Sequence, residues 1–181
     1  MTSDTRFISA TRMKALATPE LMLEPLVPAD AEAMFEVLGD PQLYRHLDER
    51  APPSVDHLRR LYTRLESRLS PDASQVWLNW VVRRPGLPPL GYVQATVMLN
   101  HTAWVGYVFS AQHWGRGYAT QAGQTLLEHL SSDYGVRRVL ARVEAANLRS
   151  IRLLQRLAFR QAEGQDLEGH GLSPSERLFV R

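Results

Sequence analysis

Nine consecutive residues, Gln112-His113-Trp114-Gly115-Arg116-Gly117-Tyr118-Ala119-Thr120, carry the types and spacing of an anion seat. Ahead of them runs Ala103-Trp104-Val105-Gly106-Tyr107-Val108-Phe109, apolar and rich in strand formers. Behind them, Ala119 to Leu130 places apolar residues at helical spacing. A strand that stops, a turn with two glycines and a helix that starts leave the first helical N–H groups without partners inside the helix. Those groups point outward at the positive end of the helix dipole. Glycine lets a ligand approach the backbone closely, and phosphate is the usual guest. Glycines also punctuate strand-to-helix junctions that bind nothing. The turn alone therefore leaves both readings open.

The elements around the turn follow from periodicity. Residues 1–19 lack a clear period and read as a flexible lead-in to one domain over residues 20–181. Glu20 to Leu26 alternates as a short strand, and Pro28-Ala29-Asp30 reads as a helix start with Asp30 as cap. Gly39-Asp40-Pro41 ends that helix. Pro52-Pro53-Ser54 opens a second, with Val55, Leu58, Leu61, Tyr62, Leu65 and Leu69 on one face. Gln75 to Val82 and Leu90 to Leu99 read as strands around the turn Arg84 to Pro89. Asn100-His101-Thr102 then joins the latter to Ala103–Phe109 as a hairpin. The helix after the glycine turn ends near Tyr134-Gly135. Arg137 to Val143 is a strand, Asn147 to Leu157 a helix, Gly164 to Ser175 a loop, and Leu178-Phe179-Val180 a closing strand. This order predicts a mixed α/β (α+β) domain with a mostly antiparallel sheet, not a doubly wound one.

Composition narrows the function classes. The chain has 181 residues and no cysteine, which excludes disulfides, thiolate catalysis and cysteine-ligated zinc. The absence of cysteine fits a reducing, cytoplasmic setting. A net charge of +2 is too small to argue for nucleic acid. No apolar run approaches the ~20 residues of a membrane helix, and residues 1–17 carry no long apolar segment of a secretory signal. No His, Asp and Glu cluster has metal-ligand spacing, so no metal is expected. Lys14 is the only lysine, so every other fixed positive side chain is an arginine.

Three stretches together resemble a known family: Tyr107-Val108-Phe109, then Trp114-Gly115-Arg116-Gly117-Tyr118-Ala119-Thr120, then Asn147-Leu148-Arg149-Ser150 leading to Leu157-Ala158-Phe159. The pattern resembles the GNAT superfamily of acetyl-CoA-dependent N-acetyltransferases, and within it the branch of the RimJ/RimL ribosomal-protein N-terminal acetyltransferases. The resemblance implies the GNAT fold, with two neighbouring strands splayed so that a pantetheine arm inserts between them. It implies that Tyr107, Val108, Phe109 and Ser110 offer backbone groups to that arm. Gly115, Arg116, Gly117, Tyr118, Ala119 and Thr120 would hold the pyrophosphate of acetyl-CoA. Asn147 would hydrogen-bond the arm, and Ser150 would donate to the departing thiolate. Asn147 also reads as an ordinary helix cap.

Two departures from the family pattern matter. Ala158 stands where the family usually has glycine, in a left-handed position costing alanine ~1 kcal/mol. Gln94 stands in the strand where many relatives carry a catalytic glutamate. Glu144, at a strand end before Asn147, is then the base candidate; His101 and His113 have a suitable intrinsic pKa but fall in turns. The acceptor wall is expected from Tyr44, Arg45 and His46, the turn Asn100-His101-Thr102 and the loop Gly164–Ser173. The expected activity is acetyl transfer to a primary amine, such as a protein N-terminal α-amine, by a monomer or homodimer. The alternatives are a small-molecule acetyltransferase (antibiotic, polyamine or amino acid) and a non-catalytic acyl-CoA-binding module.

Overall fold

The computed structural model describes residues 13–46 and 50–181. Its strands are β1 (Leu16–Ala17), β2 (Met22–Pro25), β3 (Gln75–Arg83), β4 (Pro89–Met98), β5 (Thr102–Phe109), β6 (Arg138–Glu144), β7 (Arg160–Gln161) and β8 (Glu176–Val180). Its α-helices are α1 (Ala31–Leu38), α2 (Val55–Leu65), α3 (Tyr118–Tyr134) and α4 (Leu148–Arg156). The strands form one sheet in the order β1-β2-β3-β4-β5-β6-β8-β7. Every neighbouring pair is antiparallel except β5 and β6.

The two faces of the sheet follow from the period-two alternation of strand side chains. In β3, Val76, Leu78, Trp80 and Val82 enter the larger core, which also takes in α3 and α4. Val81 faces the other way, into a smaller core with α1 and α2. A third apolar cluster of Leu140, Ala162, Leu178 and Val180 covers the β6–β8 end of the sheet. Each large aliphatic side chain buried this way contributes about 1.5–3 kcal/mol.

The helix starts differ in chemistry. Ser54 caps α2 as expected, its hydroxyl accepting the His57 N–H at 3.1 Å. Asp30 does not cap α1. It lies in a short 3-10 turn, Pro28–Asp30, accepts the Val27 N–H at 3.0 Å and pairs with Arg83. Arg83 also holds Glu24 at 2.6 Å. A buried carboxylate is better compensated by a guanidinium than by a helix end, which explains the difference.

The chain before residue 20 is less loose than its composition suggests. Residues 1–12 lie outside the described residues, but Met13 and Leu16 are buried in the main core and Leu16–Ala17 pairs with β2. The fully buried Trp80 anchors this segment, its indole N–H donating to the Lys14 carbonyl at 2.8 Å. A buried indole requires an acceptor, and this one lies 66 positions away in sequence. Arg160–Gln161, at the β7 edge, is a two-residue strand that no sequence period could reveal.

At the end of α4 the backbone takes a left-handed turn at Ala158, with φ of 61°. The Phe159 N–H reaches back to the Leu154 carbonyl at 3.0 Å and the Ala158 N–H to Gln155 at 3.0 Å. The helix keeps the glycine-type ending without the glycine and accepts the strain.

Candidate active site

Among the described residues the one parallel pairing in the sheet is short. β5 pairs with β6 at Thr102–Arg138, Ala103–Val139 and Trp104–Leu140, and the pairing ends there. Beyond that point β5 stays on β4 as far as Phe109, while β6 follows β8 as far as Glu144. A gap therefore opens beside residues 105–109.

Strand alternation decides which backbone groups face this gap. The His101 carbonyl accepts from Arg138 at the start of β6, so odd-numbered residues of β5 face that side. At the far end, the Ser110 N–H is spent on the Leu90 carbonyl of β4 at 2.8 Å. The Val108 carbonyl lies against Gly91 of β4. Of the four residues expected to offer backbone groups, Tyr107 and Phe109 face the gap. Val108 and Ser110 are turned to β4, because a strand that keeps one neighbour can present only alternate residues to the other side.

The glycine turn lies at the end of the gap. Gly115 and Gly117 take positive φ values of 78° and 81°, and a side chain at either would meet nothing within 4 Å. Gly117 occupies the N-cap position of α3 and no side chain caps that helix. The Thr120 N–H bends back to the Gly117 carbonyl at 3.0 Å, so Thr120 keeps only its hydroxyl for an outside ligand. The N–H groups of Gly117, Tyr118 and Ala119, which precede that first bond, open the helix at its positive end. The Trp114 indole donates to the Phe109 carbonyl at 2.7 Å and pins the turn to the end of β5.

The start of α4 closes the other side. Asn147 Oδ1 accepts the Ser150 N–H at 3.1 Å, which makes Asn147 a true N-cap and leaves the cap hydrogen bond to the oxygen alone, not the NH2 group. The Ser150 hydroxyl meets the Tyr107 hydroxyl at 2.5 Å, across from β5 to α4. Burial pushes the Tyr107 phenol up to about 12, against a smaller opposing effect of Ser150. Arg149 stacks over the Trp114 ring, 3.5 Å from its centroid, joining α4 to the glycine turn.

A gap with unpaired backbone groups, a bare cradle of helical N–H groups and a free amide between them suit a long, phosphate-ended thioester. Comparison with known proteins decides the family. A model of the acetyltransferase (GNAT) domain matches residues 20–160. The chain belongs to the GNAT acetyltransferase family. This GNAT domain is 27% identical to the uncharacterized N-acetyltransferase p20 of Bacillus licheniformis over 154 residues, covering 84% of this chain and 85% of that one. Among solved structures it resembles RimL, a ribosomal L7/L12 α-N-protein acetyltransferase in complex with coenzyme A, with a TM-score of 0.76. That match has 17% identity and covers 92% of this chain and 96% of RimL. It also resembles the spermidine N-acetyltransferase of Vibrio cholerae in complex with CoA and spermine, at TM-score 0.71 and 17% identity, covering 91% and 96% of the two chains. The fold is an acyl-CoA-binding one.

Within this GNAT domain two of the three base candidates, Glu144 and His101, are engaged with other groups. Glu144 accepts from the Ser175 hydroxyl at 3.2 Å, on the β8 side of β6 and away from β5. His101 holds the Gly135 carbonyl at 3.0 Å. It precedes Tyr107 by six residues of extended chain, roughly 20 Å. His113 is half-buried. Burial holds its imidazole below the usual histidine range, and the charges of Arg116 and Arg84 act the same way.

The expected acceptor wall also divides. Tyr44 lines a cavity of about 180 Å3 between α1, α2 and the sheet, together with Asn79, Gln94 and Val108. Asn100 and Thr102 line a different cavity with Gly169 and His170, at the opposite end of β5. Sequence spacing could not separate the two, because both walls come from turns that touch the same sheet face.

Sequence reasoning missed the Tyr107 side chain and Arg149. One signal was present: an arginine in the first turn of a helix opposes the dipole and calls for a local reason. Tyr107 carried none, since any core-facing strand position suits tyrosine. Among the described residues no cluster of three or more His, Asp or Glu could hold a metal ion, and no helix is long and apolar enough to cross a membrane.

Proposed function

We propose that this domain transfers acetyl from acetyl-CoA to a primary amine and that a protein or peptide N-terminal α-amine is the acceptor it serves best. The Tyr107–Ser150 hydroxyl pair beside the unpaired half of β5 carries this reading. When bound, acetyl-CoA supplies the activated acyl group. Asn147 donates its NH2 group to the pantetheine arm while its oxygen keeps the helix capped. The N–H groups of Gly117, Tyr118 and Ala119 hold the pyrophosphate, with Arg116 beside them. The Phe109 N–H, which faces the gap, stabilises the oxyanion of the attack.

Ser150 donates a hydrogen bond to the departing sulfur, Tyr107 holds the Ser150 hydroxyl in place for it, and the proton that the attacking amine loses ends on the released thiol. Thiols titrate near ~8.5, so the leaving group needs little help and this donation contributes roughly one to two orders of magnitude. Gln94 offers an amide where a carboxylate base would stand, and Glu144 is engaged elsewhere. An amine must therefore arrive largely neutral. At pH 7 about a tenth of an α-amine is neutral, against under a thousandth of a lysine side chain. That difference favours α-amines. A cytoplasmic setting fits the cysteine-free chain.

Steady-state thiol release with one peptide, blocked in turn at its α-amine or its lysine, tests the reading. The α-amine form is expected to react faster; a clear preference for lysine overturns it. The missing carboxylate at Gln94 also favours a second reading, a non-catalytic acyl-CoA sensor. Tight CoA binding with no amine-dependent thiol release selects that one.

A further inference from the structure

The cavity between α1, α2 and the sheet has a two-sided lining. Its floor comes from strands and includes Asn79, Tyr92, Gln94 and Val108; its roof includes Leu38, Leu58, Leu61 and Leu65. The floor adjoins the gap. Asn79 pairs with Gln94 and Gln94 with Gly106, which puts the two amides in one row leading to the half of β5 that β6 leaves. The Gln94 side chain lies directly over Gly106. An amine attacking a thioester laid along residues 105–109 must approach over this floor. Whatever that amine is attached to then falls under the leucine roof.

Size and charge limit the attachment. The cavity measures about 180 Å3. Drug-sized ligands occupy roughly 300–1,000 Å3, whereas an apolar cavity of about 150 Å3 holds one benzene. The space suits a single leucine or phenylalanine side chain and is too small to enclose an aminoglycoside-sized body. Among the described residues no carboxylate lines it, and its ionisable lining groups besides tyrosine are Arg50 and His57. A polyamine would bring a second ammonium group into a lining that, among the described residues, holds a guanidinium and no carboxylate. Arg50 instead suits an oxygen, either the carbonyl of an N-terminal residue or the carboxylate of a free amino acid.

We infer that the acceptor is an α-amine whose own side chain is apolar and of leucine or phenylalanine size. This rests on the acetyltransferase reading above and adds the identity of the residue that bears the amine. Burying one such side chain corresponds to roughly a ten- to hundredfold gain in kcat/KM over glycine.

The test measures acetyl-CoA-dependent thiol release by the full chain with leucinamide, phenylalaninamide, glycinamide, free leucine, a peptide beginning with leucine, and spermidine. Leucinamide and phenylalaninamide are expected to exceed glycinamide at least tenfold in kcat/KM, with spermidine below glycinamide. Comparison of free leucine with the leucine peptide tells an amino acid from a chain terminus. The variant Leu61→Trp, which fills the roof, is expected to erase the preference, and calorimetric CoA affinity reports that its fold is retained. Glycinamide or spermidine equal to or better than leucinamide overturns the inference and leaves the acetyltransferase reading standing. A preference that survives in Leu61→Trp with intact CoA affinity overturns the placement in this cavity. No thiol release with any amine overturns the acetyltransferase reading and the inference with it.

Discussion

The hydroxyls of Tyr107 and Ser150 meet at 2.5 Å, one carried by the strand on one side of the gap and one by the helix on the other. With its phenol pushed up to about 12, Tyr107 stays protonated throughout the working pH range. It therefore acts as a fixed dipole and not as a titrating acid. Tyr107→Phe is expected to lower kcat several-fold with little change in the KM for acetyl-CoA. Ser150→Ala is expected to lower kcat by roughly one to two orders of magnitude. If Tyr107 acts through Ser150, the double variant is no slower than Ser150→Ala alone, which a double-mutant cycle on kcat reads directly. Fully additive losses contradict the coupling.

Asn147 holds two roles on two different atoms. Its Oδ1 caps α4 through the Ser150 N–H, and its NH2 is the group proposed above to meet the pantetheine arm. Asn147→Asp keeps the acceptor and removes the donor, so the melting temperature should hold while the KM for acetyl-CoA rises. Asn147→Ala removes both and should also lose about 1 kcal/mol of stability. Denaturant melts set beside CoA titrations of the two variants separate cap from ligand contact.

Ala158 sits at φ of 61°, a conformation glycine takes freely. Ala158→Gly is expected to raise stability by about 1 kcal/mol, which in a chain of this size is a rise of about 2–4 °C in Tm. Thermal unfolding checks it. A fall in Tm would mean that the greater freedom of glycine in the unfolded chain outweighs the relieved strain.

His129 is buried, with Trp80 and Tyr134 edge-on to its ring at 5.6 and 5.4 Å. Burial lowers its pKa and the charge of Lys14 acts the same way, while Asp133, 3.0 Å from Nδ1, pulls in the opposite direction. The net shift is downward, so the unfolded chain binds the proton more readily than the folded one. Stability is then complete above the ordinary histidine value of 6.5 and falls as pH drops below it. Asp133 adds a second loss at lower pH. Bonds from Ser132 and Lys14 hold its carboxyl at about 2, so its contribution fades below the ordinary 3.8. Urea midpoints from pH 7.5 to 5 should decline in the wild type and stay flatter in His129→Phe. Equal slopes in the two would remove His129 as the cause.

The helices and strands that frame the site were readable because each carries a local period and local stop signals. Ser54 opens α2, the glycines mark the entry to α3, and Asn147 opens α4 in the sequence as in the structure. Asp30 misled because its partner, Arg83, lies 53 positions away and is invisible to local reasoning. Glu144 also has a partner distant in sequence. Its place near Asn147 in sequence suggested the gap, but β6 pairs with β8 and hands the carboxylate to Ser175.

Local sequence was enough for the family and for the glycine turn at the start of α3. A strand, a two-glycine turn and a helix start lie within one short run of backbone, where chain connectivity alone forces them together. Only the tertiary structure decided which strand residues face the gap, that Tyr107 touches Ser150, and that Tyr44 and Asn100 line separate cavities. Those relations depend on register and on where a parallel pair stops. Register is set by side chains distributed over the whole sheet, and no single segment encodes it.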